Sequence, residues 1–151
     1  MKTLILLLTI SLSLFSCTTP APSTLQPTSL LPKPQTNRSD YKDLGIPPAF
    51  KKLHDEAKAK NESWRTKVDD VASQAAGKSS ESGNVSVFMT AQEKAVVIIT
   101  SGNLEDDSVK QIEKWIELTK KSNAWEVDWI GARFMCRRGG NTTQWQKEFC
   151  P

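Results

Sequence analysis

The sequence predicts an α+β domain built from a long helix, a β-hairpin, a second helix and a second β-hairpin. The expected result is a four-stranded antiparallel sheet with two helices on one face. Three stretches carry that expectation. Phe50, Leu53, Ala57, Trp64, Val68, Val71 and Ala75 recur at spacings of three, four or seven, which is one apolar stripe on a helix. Ala95 to Thr100 reads AVVIIT, with β-branched residues on both faces, as in a well-covered strand. Trp125, Val127 and Trp129 alternate with Glu126 and Asp128, so the three apolar side chains share one face of a strand.

Each element has a start and a stop. Gly45-Ile46-Pro47-Pro48 opens the first helix, because proline is favoured in a first helical turn, and Gly77 with KSSESGN ends it. The stripe is too short for a coiled-coil seam and is interrupted by Lys60, so it should pack on a sheet. Val85 to Thr90 and Ala95 to Thr100, joined by a polar turn at Gln92 to Lys94, form the first hairpin. Glu105, Asp106 and Asp107 precede Val109, Ile112, Trp115 and Ile116, and Lys120 and Lys121 follow, a charge order that suits a helix dipole. A bulge at Ile130-Gly131 would bring Ala132, Phe134 and Cys136 onto the face of Trp125, Val127 and Trp129. Arg137 to Asn141 would turn the last hairpin through Gly139-Gly140.

Ahead of this domain the chain changes character. Lys2 supplies a positive start and Leu4 to Phe15 an apolar run, the pattern of a secretory leader. That run is shorter than the roughly 20 apolar residues needed to span a bilayer core. Leu14, Phe15, Ser16 and Cys17 resemble the lipobox of bacterial lipoprotein signal peptides, and the resemblance covers the first seventeen residues only. It implies that residues 1–16 are removed, that Cys17 carries lipid such as palmitate, and that the new amino terminus is acylated. Ordinary secretory cleavage near Ser16 is the alternative. Thr18, where an Asp would resemble an inner-membrane retention signal, implies an outer-membrane or periplasm-facing location in a cell with two membranes. Residues 17–43 hold five of the eight prolines and little hydrophobic periodicity, so they read as a disordered tether, and residues 44–151 as the domain.

Charge and cysteine usage narrow the function. From Leu44 onward sixteen Lys and Arg face fifteen Asp and Glu, which gives no basic stripe for nucleic acid. Three cysteines leave one odd in an oxidising compartment. With Cys17 lipidated, Cys136 and Cys150 remain as a disulfide pair.

Catalytic candidates are few. His54 is the single histidine and has no Ser or Cys placed to use it. AAGKS lacks the first glycine of a phosphate loop, and Ser39 with Lys42 match S-x-x-K only inside the tether. Glu126 and Asp128 project from one strand face and are the carboxylates a cell-wall glycan hydrolase would use. Asn37, Asn61, Asn84 and Asn141 begin N-x-Ser/Thr sequons, which a bacterial lipobox leaves without a role. Arg133, Arg137, Arg138 and Trp145 combine the residue types of binding surfaces. The resulting expectation is a non-enzymatic, cofactor-free, lipid-anchored domain that binds an envelope protein, peptide or glycan, or supports an assembly.

Overall fold

The structure, a computed structural model, describes residues 36–77, 83–102, 104–139 and 142–151. The order is β1 (Lys42–Asp43), α1 (Pro48–Ala59), α2 (Val68–Ala75), β2 (Asn84–Ala91), β3 (Lys94–Gly102), β4 (Val109–Lys121) and β5 (Ala124–Cys136). The strands form one antiparallel sheet in the order β1-β5-β4-β3-β2. From β2 to β5 it is a meander, since each strand pairs with the next in sequence.

This overturns the predicted architecture in four places. The single long helix is two short ones: Asn61 takes a positive φ of 52°, which asparagine tolerates, and a 3-10 turn over Ser63–Thr66 leads into α2. The apolar stripe already has its gap there, between Ala57 and Trp64. The second predicted helix, over 105–121, is the long strand β4. Val109, Ile112, Trp115 and Ile116 fit a helical spacing, but Trp115 and Ile116 are buried on opposite faces of a sheet and both sides need apolar cover. The predicted C-terminal hairpin is one strand, β5, followed by a coil whose backbone pairs with it, among the described residues, at the single bridge of Phe134 with Gln146. Finally the sheet has five strands, because Lys42–Asp43, read as tether, pairs with Gly131 and Ala132.

The main core lies between the helices and one face of the sheet. Phe50 of α1 and Val71, Ala72 and Ala75 of α2 pack on Val97, Ile99, Ile116, Leu118, Trp125 and Ile130. Burying each large aliphatic side chain here contributes about 1.5–3 kcal/mol. His54 Nε2 bonds the Trp125 carbonyl at 3.1 Å, and the Lys114 ammonium donates to the Ala76 carbonyl at 2.5 Å, so both helices are tied to the sheet by polar as well as apolar contacts. Burial pushes the Lys114 pKa down.

The register places the tryptophans. Glu117 faces Trp129 but Leu118 faces Val127, so Asp128 is the extra residue of a bulge. The bulge therefore precedes the predicted Ile130-Gly131 position, and its effect is to send Trp129 to the face opposite Trp125 and Val127. Gly131 serves another purpose: a Cβ there would lie 2.1 Å from the Trp129 ring, which occupies that space.

Candidate functional site on the helix-free face of the sheet

The face turned away from the helices carries Phe88, Val96, Ile98, Trp115 and Trp129, one or two from each of the four long strands. Half of it is closed by residues from outside those strands. Tyr41 is 1% exposed and meets Trp115 edge-on, with ring centroids 5.3 Å apart. The Arg38 guanidinium lies 4.3 Å from the centre of the Trp129 ring. Arg133 is sandwiched between Tyr41 and Trp145, 5.0 Å from each ring centre, and donates to Glu113 from two nitrogens at 2.8 and 2.9 Å. The Tyr41 hydroxyl donates to the same carboxylate at 2.5 Å. Burial, helped by that bond to Glu113, pushes the Tyr41 pKa upward, so it stays a donor.

The other half keeps a cavity of about 450 Å³, lined among others by Phe88, Val96, Trp115, Glu117, Thr119 and Asp128. Thr119 donates to Asp128 at 2.5 Å and Arg38 stands 3.6 Å from Glu117, so the polar rim is held in place. Trp115 lies at the seam between the closed and open halves. It is 4% exposed, and its Nε1–H is buried with no hydrogen-bond partner. A buried donor left unpaired costs about 1–3 kcal/mol, so this position is under-satisfied in the free chain.

The residues singled out from the sequence fall in several places. Arg133 and Trp145 do meet, but as a packed stack with the Arg133 side chain only 14% exposed, which makes them a wall of the site and not its mouth. Arg137 is elsewhere, its Nε donating to the Val109 carbonyl at 3.1 Å, and Arg138 pairs with Asp107 at 2.5 Å. The four-residue cluster is therefore split between two regions. Glu126 and Asp128 line different cavities. Asp128 lines the helix-free cavity, whereas Glu126 borders α1 and pairs with Lys121 at 2.6 Å. That ion pair holds the Glu126 pKa below its usual range. Cys136 and Cys150 form a disulfide with Cα atoms 5.5 Å apart. It joins the end of β5 to the C-terminal coil. Cys17 lies outside the described residues.

Glu113 and Tyr41 carry no site signal in the sequence, and Trp115 reads there as one apolar position of a helix. The adjacent pair Trp115-Ile116, in a segment with four β-branched residues, Val109, Ile112, Ile116 and Thr119, was the available sign of a two-faced strand. Tyr41, the single tyrosine, stood in a segment without periodicity and offered no such sign. No protein-family model matches the chain, and no curated protein or solved structure is significantly similar to it. Among the described residues no group of three or more His, Cys, Asp or Glu could hold a metal ion, and no helix is long and apolar enough to cross a membrane.

Proposed function

We propose that this protein is an exported binding module, held to a membrane by lipid on Cys17, whose helix-free sheet face engages another component of the cell envelope. The observation that carries the binding part is the half-open aromatic face, with an apolar floor at Phe88 and Val96 and a buried, unpartnered indole donor at Trp115. Such a site suits an apolar group that brings a hydrogen-bond acceptor. The export part rests on the lipobox resemblance, and the Cys136–Cys150 disulfide suits an oxidising compartment. Glu126 and Asp128 line different cavities, so they do not form an acid–base pair across one cleft, and the hydrolase reading gains no support.

Two experiments test this. Labelled palmitate should enter the wild-type chain in cells and sediment with membranes, and Cys17→Ser should lose both. A soluble, unlabelled wild type would overturn the anchor. A photo-crosslinking residue in place of Thr90, beside the cavity, should give a discrete adduct in intact cells. The same residue in place of Arg138 should not. Equal labelling from both positions would remove the helix-free face as the site.

A further inference from the structure

We infer that β2 pairs with β2 of a second copy of this chain, antiparallel and centred on Val87, joining two sheets into one. β2 is an edge strand whose one strand partner among the described residues is β3. Its sequence, NVSVFMTA, holds no charge and no proline over eight residues. Exposed edges usually carry such features because a bare row of N–H and C=O groups invites pairing. β2 has only a bulge between Met89 and Ala91, which leaves Asn84 to Met89 regular.

The side chains say which partner fits. A two-fold contact must be self-complementary, since every residue meets its mirror position. About Val87, Val85 meets the partner's Met89, and Val87 meets its own copy. Val85 and Met89 are the strand's exposed large apolar residues, at 42% and 38%, and they share one face with Val87 in the register with β3. This pairing buries both. On the other face Ser86 lies beside the partner's Phe88, small against large. A one-residue slip would turn apolar side chains toward the wrong face, so register is specified. An uncharged strand can face itself without like-charge repulsion, which a strand with Lys or Glu at these positions could not.

The test uses the purified full chain in mild detergent, with Cys17→Ser to remove the remaining unpaired thiol. Sedimentation should give a dimer. Val85→Lys/Met89→Lys places Lys opposite Lys and should weaken association by about tenfold or more, with the unfolding midpoint unchanged at concentrations where the parent is monomeric. Val85→Lys/Met89→Glu places opposite charges in the same pairs and should restore the dimer. Val87→Cys should give a covalent dimer on oxidation, because the two side chains meet at the axis, while Val85→Cys alone should not. A parent protein that stays monomeric through the micromolar range overturns the inference. So does a Val85→Lys/Met89→Lys protein that dimerises like its parent.

Discussion

The two edges of the sheet are treated in opposite ways. Along β5 the outward backbone groups are taken up one after another: His54 bonds the Trp125 carbonyl, the Leu44 N–H donates to Ile130, and Lys42–Asp43 pair with Gly131 and Ala132. Gln146 then exchanges both of its backbone bonds with Phe134 at 2.8 Å, and the disulfide follows two residues later at Cys136. Lys42 reaches Glu148 at 2.7 Å and its ammonium sits 4.7 Å from the Phe149 ring centre, so the covering segments also hold each other. Along β2 no described backbone group beyond β3 answers. One edge is sealed by segments distant in sequence, and the other is left uncharged, which is what an edge reserved for association needs.

The largest expected effect comes from unsealing the β5 edge. Cys150→Ser opens a loop of about 15 residues and should cost about 3 kcal/mol, read from denaturant midpoints, and reductant should destabilise the wild type by a similar amount. Equal midpoints with and without reductant would show that the bond adds nothing. Gly131→Ala comes next: its Cβ must displace the Trp129 ring, a misfit that should cost about 2 kcal/mol and change the tryptophan fluorescence.

Acid should loosen the same edge more gently. Glu126, held down chiefly by its bond to Lys121, Glu148 by Lys42, and Asp43 by the Gly45 N–H, all lie along it with lowered pKa values. A lowered native pKa means that the unfolded chain binds more protons below the ordinary values of 4.5 and 3.8. Stability is therefore present in full above that range and declines as pH falls through it. Unfolding midpoints between pH 6 and 3 should show the decline, with a shallower slope in Glu126→Gln. The smallest effect on stability belongs to β2, where Val85→Lys should leave the midpoint of the monomer unmoved because Val85 is already exposed. A large loss there would mean that the edge is part of the core.

The legibility of the fold follows from where its information lies. The β2–β3 hairpin was readable because its pairing is local and its turn polar. β4 was not: a strand with apolar side chains on both faces loses its two-residue period, and what remained at 109–116 matched a helix until Ile116 and Trp115 were seen against different cores. The site suffered from the same ambiguity. Of the four binding candidates Arg133 and Trp145 stack on each other, whereas Arg137 and Arg138 are carried away by the end of β5.

Composition and spacing by themselves determined the chemistry available: an apolar N-terminal run that ends in the lipobox-like Leu14 to Cys17, a proline-rich segment, a pair of cysteines in the C-terminal part and an uncharged strand segment at 85–90. These are local properties, readable from neighbours along the chain. Tertiary structure alone decided that Asp128 is a bulge, that Trp129 therefore leaves the helix side, and that Tyr41 crosses from the proline-rich end to meet Trp115 and Glu113. The first two depend on the register of β5 with β4, and the last on a partner 72 residues away. The free energy that selects them comes from burying aromatic surface on a face that the sequence does not know is there until β4 becomes a strand.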